Sequence, residues 1–208
     1  MLERTIAVTT HGRYLVVPAE SAHPRGLLVG FHGYGENADI QLERLQAIPG
    51  SAEWLVISIQ ALNRFYERRT DRVVACWMTR QDRELAISAN LDYVEKCLEA
   101  AASEWGAPAR TVFAGFSQGV AMAFRATARS SRNSRVIAVG GDVPPELNRA
   151  ALARIHSVTL VRGAADTWYT KEQFSKDQQR LAACGVAVNT VQIDAGHEWP
   201  RGLPFSLD

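Results

Sequence analysis

Cysteine is scarce in this chain, and net charge is almost absent. The three cysteines in 208 residues, Cys76, Cys97 and Cys184, are an odd number and too few for a disulfide framework. Reduced thiols and a cytoplasmic location are therefore expected. The formal net charge is +1, so no strong electrostatic field favours nucleic acid as a partner.

Long apolar runs, internal repeats and low-complexity linkers are also missing. No run reaches the length of a membrane span, so we expect no integral membrane association. The first residues lack the apolar core of a signal peptide. Hydrophobic residues make up 47% of the chain and charged residues 22%, which is typical of a globular protein. We predict a single domain over residues 1–208.

Apolar runs alternate with amphipathic stretches from residue 26 onward. Runs typical of buried strands lie at residues 26–31, 54–59 and 111–116, and further runs predicted as strands lie at residues 135–139, 158–161 and 187–193. Helical spacing lies between them, at residues 40–48, 84–105, 117–129, 144–155 and 170–183. This alternation predicts an α/β fold, with a mostly parallel central sheet and helices on both faces.

Two stretches depart from this alternation. Residues 5–9 and 14–17 flank His11-Gly12 and are predicted to pair as an N-terminal antiparallel hairpin. Residues 60–83 have no clean period and carry many arginines, most of which we expect on a solvated surface. A loop of that length is usually functional or contains unrecognised structure.

The segment 112–122 passes from an apolar strand into a small-residue helix through Gly115-x-Ser117-x-Gly119. This is the pattern of a nucleophile elbow, in which a sharp turn lifts a serine above the sheet edge. The glycines are needed because strand and helix backbones approach too closely for a Cβ. A serine hydroxyl is a poor nucleophile at neutral pH and needs an imidazole to accept its proton. Ser117 is the predicted nucleophile.

Asp166 and His197 each follow a later strand, and ligands bind beyond the carboxyl ends of parallel strands. The order Ser117, Asp166, His197 predicts that His197 accepts the proton and that Asp166 orients the imidazole. Asp142 and Asp194 are competing acids. The other histidines, none of which follows a late strand, are His11, His23, His32 and His156.

An attacked carbonyl oxygen becomes an oxyanion and needs preorganised N–H donors. One predicted donor is the backbone N–H of Gln118, directly after the nucleophile. The second is expected in the glycine-rich turn after residues 26–31, at the N–H of Tyr34. His32, which opens that turn, is expected to brace it through hydrogen bonds.

Five segments carry a resemblance: Phe31-His32-Gly33-Tyr34-Gly35, Cys76-Trp77-Met78, Gly115-Phe116-Ser117-Gln118-Gly119, Gly163-Ala164-Ala165-Asp166 and Gly196-His197-Glu198. Together they resemble the carboxylesterase/phospholipase family of α/β-hydrolases, which includes acyl-protein thioesterases and small bacterial esterases. The resemblance implies an α/β-hydrolase fold without a large lid domain. It also implies a serine nucleophile with an aspartate–histidine relay, and no metal or other cofactor.

The chain departs from the family pattern in three places. Val120 stands where a second glycine often follows the elbow, and Thr167-Trp168-Tyr169 replace small aliphatic residues and proline. Only eleven residues follow His197, fewer than the usual closing helix needs. Four aromatic residues either line a substrate pocket or simply pack, and are carried as candidate substrate-binding residues: Trp77, Trp168, Tyr169 and Trp199.

The expected activity is hydrolysis of a small-molecule carboxylic ester through an acyl-enzyme, with thioesters or lysophospholipids as further substrates. Two alternatives stay open at this point. One is a catalytically silent binding protein of the same fold, since fold does not fix function. The other is a serine peptidase or amidase.

Overall fold

The computed structural model describes residues 1–130, 133–202 and 205–207. Strands lie at β1 (Arg13–Val17), β2 (Leu27–Phe31), β3 (Leu55–Gln60), β4 (Asn63–Tyr66), β5 (Val73–Cys76), β6 (Arg110–Phe116), β7 (Asn133–Val139), β8 (Ser157–Gly163) and β9 (Ala187–Ile193). Helices lie at α1 (Ala38–Gln46), α2 (Arg83–Trp105), α3 (Gln118–Arg129), α4 (Arg149–Leu152) and α5 (Lys171–Ala183). A 3₁₀ turn occupies Ser51–Glu53.

Seven strands form one sheet in the order β1-β3-β2-β6-β7-β8-β9. Neighbouring strands are parallel except β1, which pairs antiparallel with β3. The prediction of a mostly parallel sheet is confirmed. Since β2, β6, β8 and β9 run the same way, the segments that follow them meet at one edge of the sheet.

The sheet is covered on both faces, as predicted. Buried side chains of α2, α3 and α5 pack on one face, around Phe31 and Phe113. Leu45 of α1 packs on the other face, around Val56 and Ala114. β2 and β6 are buried along almost their whole length, which explains why their sequences show no polar alternation. The described residues contain no separate lid domain.

Two sequence predictions need correction, and one open alternative is resolved. Residues 5–9, predicted as the first strand of a hairpin, lie outside any strand, and the antiparallel partner of β1 is β3. The helix predicted over residues 144–155 is reduced to the four-residue α4. Residues 60–83 contain a second, two-stranded sheet of β4 and β5, so this long segment does hold unrecognised structure.

The segment after His197 covers part of the sheet face on which α1 packs. Phe205 and Leu207 are buried in the same cluster as Leu45, and Trp199 packs against that cluster. Three apolar side chains in irregular backbone thus shield part of this face of the sheet. Among the described residues, no helix combines the length and the apolar character needed to cross a membrane.

Candidate active site

Ser117 sits in a strained turn between β6 and α3. Its backbone has φ 49° and ψ −118°, a conformation that non-glycine residues rarely adopt. A Cβ at Gly115 would lie 2.5 Å from the carbonyl oxygen of Gly119, and one at Gly119 would lie 2.2 Å from that of Phe31. The two glycines therefore let strand and helix approach each other, as the elbow pattern predicts.

Val120 stands at the position where a second glycine often follows the elbow, and Gly141 makes room for its side chain. A Cβ at Gly141 would lie 2.5 Å from the carbonyl oxygen of Ser117 and 2.7 Å from the Cβ of Val120. Gly141 thus provides the space that Val120 takes up. This departure leaves the backbone of the elbow intact.

A continuous chain of hydrogen bonds joins Ser117, His197 and Asp166. Ser117 Oγ lies 2.9 Å from His197 Nε2, and His197 Nδ1 lies 2.8 Å from Asp166 Oδ2. We call this arrangement the Ser117–His197–Asp166 chain. With Nδ1–H donating to the carboxylate, Nε2 is left as the acceptor for the serine hydroxyl proton.

The Asp166 carboxylate is buried and fully engaged. Its Oδ1 accepts hydrogen bonds from the N–H groups of Trp168 at 2.8 Å and Tyr169 at 3.0 Å, leaving Oδ2 for His197. Burial by itself would raise the pKa of Asp166, but these N–H donors and His197 hold that pKa below its ordinary value. The carboxylate is therefore ionised at neutral pH.

Arg162, near the end of β8, donates hydrogen bonds to the loop that carries Asp166. Its Nε donates to the carbonyl oxygen of Tyr169 at 2.8 Å, and its Nη2 donates to those of Asp166 at 3.0 Å and Ala164 at 3.3 Å. The guanidinium is buried, so its donors compensate carbonyls that water does not reach. Sequence reasoning missed this residue, because an arginine inside an apolar strand belongs to no known motif.

The other candidate acids and histidines do not belong to the Ser117–His197–Asp166 chain. Asp142 and Asp194 are exposed, and within the described residues neither accepts a hydrogen bond from His197. The exposed histidines make no contact with Ser117; they are His11, His23 and His156. The acid and base that the geometry brings together are the ones that the chain order predicts.

His32 is fully buried beneath the turn that follows β2. Its Nε2 accepts the N–H of Ala61 at 3.1 Å, so its Nδ1 carries the proton and donates to the carbonyl oxygen of Gly33 at 2.7 Å. Burial lowers the pKa of His32 to about 4. The ring is therefore neutral at physiological pH and braces the turn, as expected.

Residues 33–36, which we call the oxyanion turn, leave one backbone N–H free. The N–H of Gly33 donates to Glu36 Oε2 at 2.7 Å, that of Gly35 to the carbonyl oxygen of Ala75 at 3.0 Å, and that of Glu36 to the carbonyl oxygen of Gly33 at 3.4 Å. Among the described residues, no acceptor is found for the N–H of Tyr34, nor for that of Gln118 at the start of α3.

The side chain of Gln118 has a second role that the sequence did not reveal. Its Oε1 accepts the N–H of Trp77 at 2.8 Å, and its Nε2 donates to the carbonyl oxygen of Met78 at 2.9 Å. Trp77 in turn donates its Nε1 proton to the carbonyl oxygen of His32 at 2.8 Å. The segment after β5 therefore links the elbow to the oxyanion turn.

Of the four aromatic residues carried as pocket candidates, Trp168 alone is well exposed beside the histidine. It is 79% exposed, and its ring centroid lies 6.0 Å from that of His197. Trp77 is fully buried; its ring makes an edge contact with Phe31 and a tilted contact with His32. A direct substrate contact by Trp77 is therefore corrected to a supporting role.

Tyr169 is also corrected, because it is buried with its hydroxyl bonded to Asp177 Oδ2 at 3.0 Å. Burial raises the pKa of Asp177. Trp199 packs against Phe205 and has a buried Nε1, so it contributes to the covering of the sheet rather than to an open pocket. Both residues follow the alternative that the sequence analysis left open, which is packing.

Within the described part of the chain, no three His, Cys, Asp or Glu side chains come close enough together to hold a metal ion. The polar groups at this sheet edge include one hydroxyl, one imidazole and one carboxylate joined by hydrogen bonds, and two backbone N–H groups in the turns that follow β2 and β6. Such a set can move a proton and stabilise a developing negative charge.

Comparison with known proteins identifies the relatives of this chain. The sequence profile of a family described as Phospholipase/Carboxylesterase matches residues 13–201. A search of curated proteins finds no match.

Solved structures with the same fold include acyl-protein thioesterase 2 of Zea mays, with 19% identity and a TM-score of 0.70 over 92% of this chain and 94% of that one. A carboxylesterase from Mesorhizobium loti has 18% identity and a TM-score of 0.72, over 91% and 88% of the two chains. The Bacillus cereus carboxylesterase has 16% identity and a TM-score of 0.70, with the same coverage. The chain is a member of the phospholipase/carboxylesterase family of α/β-hydrolases.

Proposed function

We propose that this protein hydrolyses carboxylic esters or thioesters through an acyl-enzyme formed on Ser117. The observation that carries the proposal is the Ser117–His197–Asp166 chain, with heavy-atom distances of 2.9 and 2.8 Å. Both distances lie within the range that proton transfer requires. Membership of the phospholipase/carboxylesterase family supports the same reaction class.

The proposed reaction begins when Ser117 Oγ attacks the substrate carbonyl carbon and its proton passes to His197 Nε2. The carbonyl oxygen becomes an oxyanion, which accepts hydrogen bonds from the N–H groups of Tyr34 and Gln118. The bond to the alcohol or thiol then breaks, and His197 returns the proton to the leaving group. Water attacks the acyl-enzyme by the same route in reverse, with Asp166 stabilising the imidazolium in each half-reaction.

The substrate proposed for this site is a small-molecule ester. Trp168 is the exposed ring nearest to His197, and we assign it to the acyl or leaving group of the substrate. A single domain and a cytoplasmic location remain part of the proposal.

Active-site labelling tests this function. A fluorophosphonate reacts with an activated serine, so the wild-type protein should be labelled on Ser117 and the Ser117→Ala variant should not. Failure to label the wild type would favour the catalytically silent alternative. Matched p-nitrophenyl ester and p-nitroanilide substrates separate the peptidase alternative, and amide turnover comparable to ester turnover would contradict the proposal.

A further inference from the structure

The ion pair between Glu36 and Arg44 holds the oxyanion turn. The same pair contacts Phe116, whose ring packs beside His197. Glu36 and Arg44 form a two-pronged contact, with Arg44 Nη1 and Nη2 each 2.7 Å from one oxygen of the carboxylate. Their side chains are only 18% and 17% exposed. A pair with this geometry and burial is stronger than an ordinary surface ion pair.

The Glu36 carboxylate determines which backbone N–H of the turn is free. Its Oε2 accepts the N–H of Gly33 at 2.7 Å while it also binds Arg44. Without this acceptor, the N–H of Gly33 would need another partner, and the turn could rotate to find one. With it, the N–H of Tyr34 is the one in the turn that has no acceptor among the described residues.

Arg44 also contacts Phe116, which links the ion pair to His197. Its Cζ lies 4.5 Å from the ring centroid of Phe116 and 5.7 Å from that of Trp199. The ring of Phe116 lies 5.2 Å from that of His197. A Cβ at Gly33 would lie 3.0 Å from both Glu36 Oε2 and Phe116 Cδ1, so carboxylate, glycine and ring are closely packed.

We propose that Glu36 and Arg44 are positioning residues, which hold the Tyr34 N–H toward the oxyanion and support His197 through Phe116. Neither side chain touches the reacting atoms, so both act through the backbone of the turn and the ring. This inference rests on the proposed function for its kinetic consequences. Its structural part stands on the hydrogen bond from Gly33 to Glu36 and on the contacts of Arg44 with Glu36 and Phe116.

The kinetic test uses a p-nitrophenyl ester as substrate and a trifluoromethyl ketone with the same acyl group as inhibitor, since its adduct with serine carries an oxyanion. Loss of one oxyanion donor costs roughly 10²- to 10³-fold in kcat. For Glu36→Ala, where that donor is misplaced rather than deleted, we expect kcat to fall about 10- to 100-fold. KM should change little, and the Ki of the ketone should rise by a factor similar to the loss in kcat.

Conservative variants and a matched control separate positioning from general loss of structure. Glu36→Gln keeps an acceptor for the Gly33 N–H and should recover part of kcat, as should Arg44→Lys by keeping the charge. The control is Asp39→Asn, which breaks a two-pronged ion pair, at 2.8 and 3.0 Å, between Asp39 of α1 and Arg13 of β1. This control should leave kcat and Ki unchanged.

Amide hydrogen exchange tests the inference even if the protein proves not to be an esterase. The N–H of Gly33 should exchange slowly in the wild type and much faster in Glu36→Ala, while amides of β6 keep their protection. An unchanged exchange rate at Gly33 would overturn the inference. Equal kinetic losses in Asp39→Asn and Glu36→Ala would overturn it as well, whereas absence of Ser117 labelling in the wild type would count against the proposed function instead.

Discussion

Two loops of this site combine one arginine with one carboxylate, but they use the pair in different ways. At the oxyanion turn, Arg44 of α1 binds Glu36 directly, and the carboxylate accepts the N–H of Gly33. In the loop after β8, Arg162 binds carbonyl oxygens, and the Asp166 carboxylate accepts two N–H groups and His197.

The difference follows from what each loop must present. A carboxylate paired with arginine is neutralised and serves to hold backbone, which suits a turn that has to offer a free N–H. A carboxylate with no arginine partner keeps its charge for the imidazole, which suits the group that stabilises an imidazolium. The comparison teaches that the partner of a carboxylate, rather than its position after a strand, decides whether it supports structure or chemistry.

The largest expected effect comes from neutralising the unpaired carboxylate. Asp166→Asn should lower kcat by about 10⁴-fold, because the amide favours the wrong tautomer of His197 and cannot stabilise its cation. Asp142→Asn is the control, since Asp142 is exposed and does not contact the histidine. Steady-state kinetics on a p-nitrophenyl ester measure both variants, and the reverse ranking would assign the acid to Asp142.

Removing Arg162 should lower the free energy of unfolding more than removing Arg44. Arg162→Met leaves the buried carbonyl oxygens of Tyr169 and Asp166 without donors, at about 1–3 kcal/mol each. Arg44→Met removes a contact at a partly exposed site and should cost less. Urea unfolding of both variants gives the comparison, and an equal loss of unfolding free energy would show that the two arginines do not differ in this way.

Acid should lower the stability of the folded protein through His32, which lies beneath the oxyanion turn. The pKa of this ring falls from 6.5 to about 4 on folding, so below pH 6.5 the unfolded chain binds more protons than the folded one. Stability should therefore drop as the pH falls from 6.5 toward 4, by about 3 kcal/mol in total. The raised pKa of Asp177 acts in the opposite direction, which makes a difference measurement necessary.

The difference is taken between the wild type and His32→Gln, by urea unfolding at several values between pH 7 and pH 4.5. The variant has no imidazole to protonate and should lose that part of the pH slope. Identical slopes in the two proteins would mean that protonation of His32 does not limit stability in acid.

The smallest expected effect on activity comes from replacing Trp168, in the loop after β8. Trp168→Ala removes an exposed ring beside His197 without opening the core, so KM should rise several-fold for the preferred acyl group while kcat changes little. Activity over a series of acyl chain lengths measures this effect. Superimposable profiles for wild type and variant would exclude Trp168 from substrate binding.

Much of this molecule could be predicted from its sequence, because the signals were local. Apolar runs located β2, β3, β6, β7 and β8, and the two glycines around Ser117 located the elbow. The strand β9 was also predicted, although none of its side chains is buried. Asp166 and His197 were predictable because parallel strands end at the same edge of a sheet.

Other features were not predictable, because they depend on contacts between distant segments. The alternation at residues 5–9 is equally compatible with strand and with irregular structure, and β1 pairs with β3 instead. Glu36 and Arg44 looked like ordinary polar residues of a turn and a helix. Trp77 and Tyr169 looked like pocket residues because their types are common in binding sites, although their burial depends on partners far along the chain.

Direct observation of the acyl-enzyme is the sharpest test of the proposed function. The protein is mixed with p-nitrophenyl acetate, quenched in acid during turnover, and examined by intact-mass and peptide mass spectrometry. The account predicts an added mass of one acetyl group, carried by Ser117 and absent from Ser117→Ala. Ester turnover without any adduct on Ser117, or an adduct on another residue, would contradict it.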